Sequence, residues 1–116
     1  MVYKGGCHCG RIAFEVEGFL EGVMLCNCSI CVKRGYLLWF IPMKHLRLST
    51  PAANITTYTF YKHQIKHQFC AVCGCGPYGE GTNPKTGELT AAINVRCLED
   101  VDLDKLKVTK FDGKSL

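Results

Sequence analysis

The chain has 116 residues, 47% of them hydrophobic and 21% charged, with 14 Lys and Arg against 10 Asp and Glu for a formal charge of +4. This is the composition of one modest globular domain over residues 1–116, and it excludes a disordered tail protein or a highly charged scaffold. The longest apolar run, residues 36–42, falls far short of the roughly 18 to 20 residues that cross a bilayer, and residues 1–7 lack the apolar core of a secretory signal, so a cytoplasmic chain without a membrane partner is expected.

β-Branched and aromatic residues recur in short runs bounded by Gly, Pro or Asn, and no stretch holds a sustained helical period, which predicts a mainly β fold. Ile12, Phe14 and Val16 alternate with Ala13, Glu15 and Glu17, giving a strand with one buried face that stops at Gly18. Residues 23–25 lead from a strand straight into a cysteine cluster. Residues 36–41 are continuously apolar around Trp39, as expected of a core strand covered on both faces, and Pro42 ends its ladder. Residues 55–61 and 65–69 read as neighbouring strands turned at 61–64, residues 79–87 as a Gly-rich loop, and residues 89–95 as a further strand. The alternation of Leu106, Val108 and Lys110 with Lys107, Thr109 and Phe111 predicts an edge strand. Helix is expected in short turns after Cys28 and around residues 98–106.

Nine cysteines are the outlying feature. An odd count in a chain read as cytoplasmic argues against a disulfide framework and for metal ligation, which also staples a domain of marginal size. The thiols fall into Cys7 and Cys9, then Cys26, Cys28 and Cys31, then Cys70, Cys73 and Cys75, with Cys97 alone. Close pairs let two sulfurs converge about 2.3 Å from a tetrahedral Zn²⁺. Gly10 and Gly74 follow two of the groups and permit the tight turns that such sites use. Spacing alone lets either later group join Cys7 and Cys9. With Cys75 set aside, seven clustered thiols cannot fill two four-thiolate sites, so one site is completed by Cys75, Cys97, a His or water. A three-thiolate zinc with an open position is associated with chemistry. His8 is expected to point away from the metal, and His45, His63 and His67 to sit on strand faces. Cys75 is expected to be a partly buried thiol and Cys97 a free thiol near the site.

The run Gly5-Gly6-Cys7-His8-Cys9-Gly10 with Phe14, the segment Cys26-Asn27-Cys28-Ser29-Ile30-Cys31, the segment Phe69-Cys70-Ala71-Val72-Cys73-Gly74, and Asn94-Val95-Arg96-Cys97-Leu98 together resemble the glutathione-dependent formaldehyde-activating enzyme family. Residues 55–60 with His63, His67 and Phe69 resemble its centromere protein V-like branch in particular. The resemblance implies an Mss4-like fold of packed antiparallel sheets stapled by two zinc ions. Cys7, Cys9, Cys70 and Cys73 match the structural zinc ligands, and Cys26, Cys28 and Cys31 the ligands of a second, catalytic zinc. It further implies a carbon-sulfur lyase that adds glutathione to formaldehyde to give S-hydroxymethylglutathione.

Three thiolates on Zn²⁺ carry a net charge of −1, so a substrate thiolate joining them needs nearby cations. Lys33 and Arg34, just beyond Cys31, and Arg96, beside Cys97, are the candidates for offsetting that charge or holding substrate carboxylates. The alternative function is a non-catalytic, zinc-stabilised binding module for a protein, nucleic acid or thiol. Seven thiolates and two zinc ions take three units from the formal +4, leaving about +1, and no dense Lys/Arg cluster replaces them, so nucleic acid is disfavoured as a partner.

Overall fold

In the computed structural model, which describes residues 1–115, ten strands form two sheets, and helix is confined to one short α-helix and several 3₁₀ turns. The strands are β1 (Val2–Gly6), β2 (Ala13–Glu17), β3 (Gly22–Cys26), β4 (Leu38–Pro42), β5 (Leu46–Leu48), β6 (Ile55–Tyr58), β7 (Lys66–Cys70), β8 (Tyr78–Thr82), β9 (Leu89–Asn94) and β10 (Lys107–Phe111); α1 is Ser29–Arg34. The smaller sheet has the order β1-β2-β5 and the larger β10-β3-β4-β9-β8-β7-β6. All pairings are antiparallel except β3 with β10, which run parallel. This is the mainly β, packed-sheet architecture expected.

The core lies between the sheets because both present their apolar alternations to each other. Phe14 and Val16 from β2, with Ile12, meet Trp39 and Ile41 from β4 and Ala91 and Ile93 from β9. Phe14 packs edge-on to Tyr78 at 5.8 Å, and Tyr3 edge-on to Trp39 at 5.6 Å, the offset geometry that aromatic quadrupoles favour. Backbone contacts also tie β1 to the segment that follows β9: Gly5 forms a bridge with Leu98, and the Glu99 amide donates to the Lys4 carbonyl at 2.8 Å.

Several expectations need correction. Residues 79–87 are not wholly a loop, since Tyr78–Thr82 forms β8 between β7 and β9, which supply its ladder on both sides. The β4 run is covered throughout on the face of Trp39 and Ile41 but only in part on the other, where Leu38 is half-buried and Phe40 is 48% exposed. β1 and β5 carry too little β-branched sequence to be anticipated; they form by pairing with the two edges of β2. The short helical turn expected around residues 98–106 is present as the 3₁₀ turn Leu103–Lys105, and a further one, Val95–Cys97, ends the β9 strand one residue before its expected limit.

The outer face of the larger sheet holds a second apolar group, in which Ile30, Cys31 and Tyr36 pack with Leu38 and Phe60. Strand alternation puts the two cysteine-rich regions on opposite sides: Cys70 at the end of β7 packs into the main core, whereas His67 on the same strand stacks with Tyr36 and Phe60 outside it. Phe14→Ala removes a side chain only 1% exposed at the centre of the inter-sheet core. It should cost about 3 to 5 kcal/mol, measured by urea denaturation of metal-loaded protein.

Candidate metal centres

Cys7, Cys9, Cys70 and Cys73 form one group of thiols, their sulfurs all within 4.8 Å of one another. The turn after β1 brings the first pair and the turn after β7 the second. Gly10 and Gly74 adopt φ of +86° and +83°, the left-handed conformation that side chains resist, so each closes its turn as glycine alone does readily. Cys7 and Cys9 sulfurs lie 3.7 Å apart and Cys9 and Cys70 sulfurs 3.6 Å apart. Four sulfurs about 2.3 Å from a tetrahedral zinc would be separated by about 3.8 Å, so the group fits such an ion with little rearrangement. Backbone amides point at the sulfurs: Ile12 donates to Cys7 at 3.3 Å and Cys73 to Cys70 at 3.5 Å. Amides of Cys75 and Cys9 hold the Cys73 thiol down to about 5, and the Cys73 amide likewise lowers Cys70, so the thiolate is favoured at these two, whereas at Cys9 the lowering by the Arg11 amide is outweighed by burial and the neighbouring Cys70, Cys7 and Cys73 sulfurs, which raise it to about 11.

Cys26, Cys28 and Cys31 form the second group, also within 4.8 Å. Cys26 ends β3, Cys28 caps α1 in an extended conformation, and Cys31 sits one turn into the helix, where it is buried. The Cys28 and Cys31 sulfurs share an S–H···S contact at 3.0 Å, closer than two sulfurs on zinc, so a metal must open the pair slightly. Burial pushes the Cys31 thiol up, reinforced by Cys28 and Cys26; burial raises Cys28 too, but its contacts with Cys31 and the amides of Cys31 and Ile30 outweigh that and leave it lowered. With three sulfurs gathered among the described residues, a tetrahedral ion here keeps one position for another ligand, whereas the first group supplies all four.

The second group has a wall that the sequence did not reveal. Asn27, between two of its cysteines, donates from Nδ2 to Asp112 Oδ1 at 3.0 Å and accepts at Oδ1 from the Lys114 amide at 2.9 Å. Its own amide donates to the Phe111 carbonyl at 3.2 Å. Gly113 is thereby seated on the cluster so closely that a Cβ there would lie 2.6 Å from the Cys26 sulfur. These residues are up to 87 positions from Asn27 in the chain, and the edge-strand alternation of residues 106–111 was their one sequence signal.

The cationic candidates lie around α1. Lys33 is exposed in its last turn. Arg34 donates to the Tyr36 hydroxyl at 3.0 Å and stacks over Phe69 and Tyr58, its guanidinium 5.0 and 5.9 Å from their ring centres. Arg96 donates from Nε to the Gly35 carbonyl at 3.1 Å, beside the end of the same helix. Cys97 belongs to neither group: its sulfur accepts from Asn94 at 3.7 Å, and burial, with Cys75, Cys7 and Cys73 nearby, raises its thiol to about 11. It thus faces the first group. Cys75 is half-buried outside both. His8 is exposed. His45 and His63 are corrected from strand faces to turns, His63 with φ +55° and Nδ1 2.7 Å from the Thr59 hydroxyl. His67 is on β7 and buried.

The sequence profile of the glutathione-dependent formaldehyde-activating enzymes matches residues 2–110. The chain belongs to that family. A crystal structure of a Rhodobacter sphaeroides protein is similar, at 32% identity and a TM-score of 0.76, over 91% of this chain and 99% of that one. Among the described residues no helix is long and apolar enough to cross a membrane.

Two variants separate the roles of the groups. The first joins residues 61 positions apart, so its loss opens a long loop and removes a link between the sheets. Cys70→Ala should therefore abolish soluble folded protein, whereas Cys28→Ala, in a group confined to residues 26–31, should stay soluble and strand-rich by circular dichroism. His67 offers a pH test. Burial, then the Arg34 charge, depresses its folded pKa below the ordinary 6.5. The unfolded chain thus takes the proton first, and stability is lost as pH falls through 6.5 toward the folded value. In urea titrations across this range, His67→Phe should lack that component of the loss.

Proposed function

We propose that the chain is a zinc-dependent carbon-sulfur lyase that adds a small thiol, glutathione in the family's own description, to formaldehyde or a related aldehyde. The observation that carries this reading is the three-sulfur group beside a formed cavity, set apart from a complete four-sulfur group on the other side of the larger sheet. Two zinc ions per chain would be held, one by Cys7, Cys9, Cys70 and Cys73, the other by Cys26, Cys28 and Cys31. Bound at the second group, the metal would lower the pKa of a substrate thiol occupying its remaining position.

In the reaction the thiol gives up its proton, its sulfur adds to the carbonyl carbon, and the carbonyl π pair moves to oxygen, which takes a proton back to give the S-hydroxymethyl adduct. The protein's part is to orient the two reactants. We assign to Lys33, Arg34 and Arg96 the offset of the site's negative charge, and their grouping around the end of α1 supports this role. We further place the chain in the centromere protein V-like branch, on residues 55–60, His63, His67 and Phe69. Nine free thiols suit a reducing compartment such as the cytoplasm.

Metal analysis should find two zinc ions per fully loaded chain, with the second released to a chelator faster than the first; one ion, or equal release rates, would count against the open site. Calorimetry should show glutathione binding to zinc-loaded protein and none to Cys28→Ala that remains folded. Binding should weaken on adding salt, because screening reduces what the three cations contribute. NMR should detect S-hydroxymethylglutathione forming faster than without protein.

A further inference from the structure

A cavity of about 460 Å³ opens beside the second cysteine group, within the range of small-molecule sites. Cys26 and Cys31 are among its lining residues, together with Leu25, Val32 and Phe111. These three apolar side chains are 39%, 63% and 41% exposed, so substantial apolar surface from β3, α1 and β10 stands in water around the sulfurs. Water-facing apolar surface of this kind is stabilised by an apolar occupant.

The wall that carries Phe111 is fixed. Asn27 accepts and donates across to residues 111–114, and Ser115 donates to Asp112 Oδ2 at 2.6 Å. Glutathione carries two carboxylates and one ammonium group. Among the described residues lining the cavity the charged groups are Lys110 and Asp112, and the Asp112 oxygens already accept from Asn27 and Ser115. Arg34, by contrast, is turned toward Tyr36, Tyr58 and Phe69, none of which lines this cavity. The cavity's charges are therefore a poor match to the tripeptide, and its walls a good match to a hydrocarbon.

We infer that the preferred thiol of this site has an apolar alkyl or aryl body, which packs against Leu25, Val32 and Phe111 while its sulfur reaches the Cys26, Cys28 and Cys31 group. The inference rests on the proposed thiol-binding role of that group and specifies which thiols it selects. Phe111 acts here as a specificity residue contributed by a strand far along the chain from the cysteines it borders, Phe111 itself lying 85 positions beyond Cys26 and 80 beyond Cys31.

The test is calorimetric titration of the zinc-loaded full chain with 2-phenylethanethiol, 2-mercaptoethanol and glutathione. 2-Phenylethanethiol should bind about tenfold more tightly than either of the others, as expected from burying part of one phenyl ring. In Phe111→Ala, checked for fold and zinc content, the ratio of phenylethanethiol to mercaptoethanol affinity should fall toward one. Leu89→Ala, on an exposed strand end outside the cavity, should keep the full ratio. Equal affinities for 2-phenylethanethiol and 2-mercaptoethanol, tighter binding of glutathione than of both, or an unchanged ratio in Phe111→Ala would overturn the inference while leaving thiol binding intact. Absence of binding by all three thiols would overturn the thiol-binding role itself.

Discussion

The sulfurs of Cys9 and Cys70 meet at 3.6 Å across 61 positions of chain, and the relation between the two sheets depends on that contact. One partner follows β1 in the smaller sheet and the other ends β7 in the larger. Sheet packing alone is non-directional, because apolar burial rewards many relative placements. A four-sulfur centre is directional. With the Gly5–Leu98 bridge it fixes where β1 lies against the larger sheet, and hence how Phe14 enters the space beside Tyr78. It also confines coordination of this kind to one side, leaving the opposite face of β3 and β4 to present a second group.

The two groups differ in construction as well as position. Each cysteine pair of the first is carried by its own tight turn, with a backbone amide donating to a sulfur in each: Ile12 to Cys7 and Cys73 to Cys70. The second is gathered in one stretch, where a strand end, a helix cap and a helical turn bring three sulfurs together. Without distant chain to complete it, its surroundings come from elsewhere: α1 on one side, the stack of Tyr36, His67 and Phe60 beyond, and residues 111–115 on the other. Closed coordination suits the group that links the sheets, and a side left open suits the group that meets solvent.

Much of this was legible in the chain. The Ile12, Phe14 and Val16 alternation marked the buried face of β2, Gly10 and Gly74 marked the turns, and the close cysteine spacings marked the separate clusters, because each of these signals is local; that Cys7 and Cys9 join Cys70 and Cys73 came from the family resemblance, since spacing left either later cluster open. What could not be read depended on partners. Tyr78–Thr82 contains two glycines and has little strand character of its own; it is extended because β7 and β9 both offer it hydrogen bonds, and Gly79 fits where an added Cβ would lie 3.2 Å from the Lys66 carbonyl. Phe40 stands in a run of apolar residues, yet only three-dimensional packing decides that it is exposed while Leu38, on the same face of β4, is packed. The parallel pairing of β10 with β3 left no trace in either strand's pattern, so Lys110, Phe111 and Asp112 gave no sign that they border the cysteines, whereas Lys33 and Arg34 drew attention by adjacency.

That parallel pairing also sets an order of assembly. A ribosome releases the chain from its N-terminal side, and domains form as their parts become available. Every sulfur of the first group has been made once residue 73 is added, and all three of the second once residue 31 is added. Lys107–Phe111, however, reaches Gly22–Cys26 only after the intervening strands exist, and such distant pairings form slowly. Throughout that interval the second group is already able to take up metal but lacks its wall. The nascent chain thus passes through a stage in which Cys26 lacks the cover that Phe111 and Gly113 lay along one side of it in the finished fold.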